Sequence, residues 1–179
     1  MISETYGGYR MVACGIRSGV EDPVGALSNL SLPAVFSVQL YDPGAASSER
    51  QISLAFILAI DSFLTGTNRA KRVEVEVLRY LACSTQIEQA LRRAGVRERM
   101  TEVGVLVVAE GGANPEEGLG AVARALRGEL APDLTFKARS VELLARYGID
   151  TRRLACIPKS EGVDREELLL LEEMVTLRI

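Results

Sequence analysis

The chain has 179 residues, 47% apolar and 25% charged, with a net charge of −3. Its length points to one domain, and its composition to an ordered fold that buries about 70% of the extended-chain surface without metal or disulfide staples. The absence of histidine excludes Ser-His and Cys-His catalysis and His-ligated zinc, and the acidic balance excludes a general nucleic-acid coater, which would be basic.

From the N-terminus, Met1 to Thr5 lacks a basic region leading into an apolar stretch, so no secretion signal is expected there. Tyr9 to Arg17, rich in β-branched and apolar residues, predicts a strand. Asp22-Pro23 opens a short helix to about Asn29. Residues 34–41 predict a second strand, with Val35, Ser37, Gln39 and Tyr41 alternating against Phe36, Val38 and Leu40 until Asp42-Pro43-Gly44 ends it. A helix follows from the Ser48/Gln51 capping box to Leu64, with Gly66 as its left-handed stop. It is apolar nearly all round, so it is either buried inside the domain or covered by a partner, a second copy being one such cover. Its longest apolar run, 54–60, is far short of the roughly 20 residues of a membrane helix.

The next helix covers 73–82, with Val73, Val77, Leu78 and Leu81 on one face and Glu74 and Glu76 pointing different ways. A shorter one begins at a Thr85 cap closed by Glu88, carries Ile87, Ala90, Leu91 and Ala94 as its stripe, and stops at Gly95. The unbroken apolar run 102–109 predicts a strand buried on both faces. Helices over 115–129 and 137–147, a short strand over 154–158 and a helix over 164–179 complete the order. The last is opened by Asp164 and Glu167, with Leu168, Leu171 and Val175 as its stripe and Leu169 and Met174 alongside. Strands bracketing a helical centre give a single α+β domain: a small mixed sheet with a central helical bundle.

No motif for chemistry emerges. Gly118-Leu119-Gly120-Ala121-Val122-Ala123 has the G-x-G-x-x-A pattern, but eight residues separate it from the preceding strand and no acid follows at the dinucleotide spacing. It reads as a glycine-tolerant helix start; the rival reading is a small α/β enzyme or ligand-binding domain built on the Gly-rich loop 110–120. Cys14, Cys83 and Cys156 lie 69 and 73 residues apart, without metal-ligand spacing, and are expected to be buried thiols of a soluble cytoplasmic protein.

Charge is unevenly spread. Residues 69–99 hold eight basic and four acidic residues, a surplus of +4. Asn68-Arg69-Ala70-Lys71-Arg72 packs three cations at the start of a helix, where the macrodipole opposes them. Arg92 and Arg93 lie in the last turn of the next helix, where it favours them. Facing one side, the two clusters would suit phosphate and single-stranded bases.

The succession from Ile52 to Glu110 is familiar. An apolar helix is followed by the basic turn Gly66-Thr67-Asn68-Arg69-Ala70-Lys71 and a helix with Val75-Glu76-Val77-Leu78. Then come Gln86-Ile87 with Ala90-Leu91 and Gly95-Val96, and the strand Val103 to Val108. This order resembles the regulatory, kinase-binding subunit of the KEOPS complex (the CGI family), of archaeal type, and 171–177 resembles that family's closing Glu-x-x-Ala-Leu helix. The resemblance implies a subunit with no catalytic residues, cofactor or metal. It implies direct docking on the complex's small atypical kinase/ATPase and, through that kinase, an indirect link to the transferase that makes threonylcarbamoyl-adenosine. It also implies a hold on the single-stranded CCA end of tRNA, carried here onto Asn68, Arg69, Lys71 and Arg72 with Arg92 and Arg93 in support. Thr85 stands where the archaeal pattern usually has an arginine, which removes one expected contact. The face of Leu168, Leu171, Met174 and Val175 reads as core or as partner-docking surface, and no membrane association is expected.

Overall fold

Among the described residues, five strands build the frame. In the computed structural model, which describes residues 1–159 and 164–177, β1 (Ile2–Tyr6) and β2 (Tyr9–Arg17) form a hairpin. Gly7 and Gly8 close it at φ of 57° and 85°, the left-handed turn that matches strand twist. β2 pairs along its whole length with β4 (Glu102–Glu110), β4 pairs with β3 (Phe36–Tyr41), and β5 (Glu129–Leu130) adds to the far end of β2. The order is β1-β2-β4-β3. The class is the α+β expected, but each pairing is antiparallel where a mixed sheet was expected, because no crossover returns a strand beside one running the same way.

Helices cover both faces. Met11, Ala13, Leu106 and Val108 meet α2 (Glu49–Leu64), α3 (Val73–Leu81), α4 (Ile87–Ala94), α6 (Ser140–Tyr147) and α7 (Arg165–Thr176). Val12, Cys14, Ile16, Val103, Val105 and Val107 lie under α5 (Pro115–Ala125), with α1 (Pro23–Ser28) alongside. Double coverage explains the unbroken apolar run of β4. The domain itself buries α2, between α3, α7 and β1, so that helix needs no partner as cover. Its Ser48 hydroxyl accepts the Gln51 N–H, and the buried Gln51 amide donates to the Ala45 and Leu81 carbonyls.

Several local expectations fail for identifiable reasons. Thr85 is exposed and caps nothing; Ser84 accepts the Gln86 N–H instead, and no side chain caps α4. In α4 the buried residues are Ala90 and Ala94, whereas Leu91 is outward. α5 stops at Ala125 rather than 129, because β2 draws 129–130 into the sheet. Residues 137–138 precede α6 because their N–H groups bond to the Pro43 and Ala46 carbonyls. The apolar run 154–158 is no strand. A 3-10 helix, Thr151–Cys156, occupies it, started by Asp150 accepting the Arg152 N–H. The end of the helix expected over 164–179 lies, at 178–179, outside the described residues.

Candidate functional site

The basic loop between α2 and α3 is anchored from inside. Glu76, in the first turns of α3, is fully buried, and its carboxylate accepts the N–H of Ala70 at 2.8 Å and that of Arg69 at 3.4 Å. The same carboxylate receives Arg79 through Nε at 3.0 Å and Nη2 at 2.6 Å, one helical turn on. Arg79 is as buried as Glu76; its third bond reaches the Ser84 carbonyl, and its guanidinium lies 4.1 Å from the centre of the Tyr80 ring. Ser62, also buried, donates to the Ala59 carbonyl and takes the N–H groups of Thr67 and Asn68 on its own carbonyl. One carboxylate thus fixes the backbone of 69–70 and compensates a buried cation.

The consequence for the loop's side chains is orientation. Arg69, Lys71 and Arg72 are exposed, while Asn68 folds back with its amide donating to the Ala70 carbonyl. Arg72 is the N-cap residue of α3 and pairs with Glu74, which is buried in the first helical turn where acid suits the dipole. Glu74 and Glu76, expected only to point different ways, are both internal and turn to different partners, Arg72 and Arg79. The buried Glu76–Arg79 pair cancels, so the local +4 surplus stays with the outer charges.

The two arginines of α4 separate in role. Arg92 is exposed. Arg93 is half-buried and donates to the carbonyls of Ala82, Cys83 and Tyr147, with its guanidinium 5.5 Å from the centre of the Tyr147 ring. It ties the end of α3 to α6 and is thereby engaged inside the protein. Arg72 and the outward Leu91 line one cleft, which puts the loop and the outer face of α4 on the same side.

α7 presents a second surface, turned one notch from the expected stripe. Its buried side is Glu167, Leu169, Leu170 and Met174; Leu168 and Val175 are outward and Leu171 is half-buried. Met174 is thus core and out of reach of a surface partner. Leu168 continues into a depression of about 480 Å³ with Cys156, Ile157 and Pro158. Asp164 starts the helix by accepting the Glu166 and Glu167 N–H groups. Its burial opposes ionisation, but these bonds and the Ser140 hydroxyl outweigh it and hold the carboxyl below the usual aspartate range.

Cys14 and Cys83 are buried, and burial pushes both thiols up; Cys156 is exposed, against expectation, because the 3-10 helix turns it outward. In the 110–120 loop, Asn114 caps α5, and a Cβ on Gly118 would lie 2.9 Å from Val107 Cγ1, so this glycine serves the close approach of α5 to β4. Among the described residues no group of three or more Cys, Asp and Glu side chains is placed to hold a metal ion. Nor, among them, is any helix long and apolar enough to cross a membrane.

Sequence reasoning missed Glu76 and Arg79 as a unit. The signal was present: Glu76 and Arg79 stand three apart in the helix 73–81, a spacing that brings an acid and a base onto one face.

Residues 26–152 match the family model of the kinase binding protein CGI-121, and the chain belongs to that family. No curated protein matches the chain.

Proposed function

We propose that this chain is a non-catalytic KEOPS subunit that binds and regulates the complex's small atypical kinase/ATPase. In this reading it also helps recruit tRNA by its 3′ CCA end for threonylcarbamoyl-adenosine modification beside the anticodon, in the cytoplasm of an archaeal-type cell. Family membership supports the kinase-binding role. The observation that carries the tRNA role is the anchored loop. Its backbone is held by a buried carboxylate while Arg69, Lys71 and Arg72 stay outside, so three cations are presented on a fixed frame. Such a frame costs little further ordering when phosphate arrives. Arg92 extends the strip; Asn68 shapes the loop from within, and Arg93 braces the α4 side. The outward Leu168 and Val175 of α7, with the half-buried Leu171 between them, are the proposed kinase-docking face, an apolar stripe beside the apolar depression at Ile157. The transferase is reached only through the kinase.

Co-purification with the kinase subunit tests the first role. A gel shift comparing tRNA with and without its CCA end tests the second. Retention of the kinase with equal shifts of both RNAs would leave the kinase reading standing and remove the CCA contact.

A further inference from the structure

The outer edge of β3 faces a cleft, and nothing among the described residues pairs with it as a further strand. Register fixes which amides turn outward. Glu110 donates to the Val35 carbonyl, so 35, 37, 39 and 41 bond to β4, and 36, 38, 40 and 42 point away. Four outward groups have partners: the Phe36 N–H on Pro33, the Asp42 N–H on Ala94, the Asp42 carbonyl under the Ala45 N–H, and the Leu40 carbonyl under the Gln39 amide. Val38, through both its N–H and its carbonyl, and Leu40, through its N–H, are left facing the cleft.

That cleft is about 540 Å³. α1 and the segment after it form one wall through Val24, Leu27 and Leu30, and α4 forms the other through Leu91, with Val96 beyond it. Val24 and Leu91 are about half exposed, at 53% and 47%. Arg72, whose Nε pairs with Glu74, is the one charged residue among the described residues lining it. A neighbouring depression, which Lys71, Glu74 and Glu110 also line, joins Arg72 to Val35 and Ser37 and so puts Arg72 at the N-terminal half of β3; the Asp42–Ala94 bond marks the other end.

We propose that this cleft takes an extended segment of a partner protein as an added strand antiparallel to β3. The segment has apolar side chains at alternate positions and an acidic group at its C-terminal end, beside Arg72. Unpaired strand amides supply backbone bonds, the apolar walls supply pockets for every second side chain, and the single cation sets direction. A second copy is the wrong occupant: its own β3 is recessed between the same two walls, so two clefts cannot close on one another. The inference stands apart from the tRNA reading, since it rests on the strand edge and not on the cation cluster.

The test is a titration of the intact protein with a fluorescein-labelled peptide, Thr-Val-Thr-Val-Thr-Val-Asp, followed by anisotropy. Saturable binding is expected, with slowed amide exchange at Val38 and Leu40. Val38→Pro removes an outward N–H and no bond to β4, an edge position where proline is tolerated. It should weaken binding about tenfold, the scale of one to two net hydrogen bonds. Replacing the peptide's Asp by Lys should weaken binding in the wild type and make no difference in Arg72→Gln. Should Val38→Pro fail to fold, a peptide N-methylated at alternate amides replaces it and should lose binding to the wild type. No saturation at millimolar peptide, or equal affinity for the folded Val38→Pro variant, overturns the proposal. So does a concentration-dependent dimer abolished by Val38→Pro, or a single-stranded oligonucleotide that protects the same amides in the peptide's place.

Discussion

Removing one partner of the Glu76–Arg79 pair strands a charge inside the protein with nothing to compensate it. Glu76→Ala or Arg79→Ala is therefore expected to cost about 3–5 kcal/mol in urea denaturation. Glu76→Gln combined with Arg79→Met should cost less than the sum of its two single changes, because the pair is one coupled unit. Glu76 variants that still fold should also lose amide protection at 69–70, whose N–H groups the carboxylate holds. This pair was hard to read in the sequence because charged residues are rarely fully buried without partners, and partners are set by the fold. The loop's cations were legible, since the macrodipole opposes cations at a helix start. A titration belongs to this scale too. The folded-state pKa of Asp164 is depressed, so its contribution is fully present above the ordinary aspartate value and is lost as pH falls through the lower folded one. The urea midpoint of Asp164→Asn, which keeps a capping side chain without the charge, should lie below wild type at neutral pH. The two should converge in acid.

Among elements, α7 shows why periodicity alone did not choose the buried side. Apolar residues at 168, 169, 170, 171, 174 and 175 cover most of its circumference, so two stripes were equally consistent with the pattern. Packing against α2 and α6 decides, and it takes Leu169, Leu170 and Met174. Met174→Ala is expected to destabilise the fold by about 2–5 kcal/mol, whereas Leu168→Asp with Val175→Asp should leave the denaturation midpoint within a small margin and weaken kinase co-purification. β1 escaped notice because only Ile2 of its five residues is buried, which leaves little apolar signal. The basic loop is the other element with a direct test. Reversing Arg69, Lys71 and Arg72 to Glu should weaken tRNA binding and lower its salt slope by about 2, as expected for three lost single-strand phosphate contacts. An unchanged shift at low salt would remove the loop from the RNA interface.

At the scale of the whole molecule, the strand carrying most of the sheet lies outside the stretch that matches the family. β2 pairs with β4 over nine residues, and both β2 and α7 fall beyond 26–152. A fragment limited to 26–152 would leave one edge of β4 without the strand that pairs it along its whole length, and would lose the helix that covers part of α2. It is expected to lack dispersed amide resonances, while the full chain shows a cooperative transition. The α+β class, most helix positions and the two-faced strand β4 were legible because each has its own period or cap. Antiparallel pairing was not, because register is a property of two segments brought together by the rest of the chain.

The outward turn of Cys156 has a practical corollary. With its two sibling sulfurs sealed in the interior, a maleimide dye added to the native protein should attach at this one atom, in stoichiometric yield by mass spectrometry. The attachment point borders Leu168 and Glu172. A fluorophore there would sit at the rim of the α7 stripe, and its emission would report a docking protein arriving without any engineered cysteine.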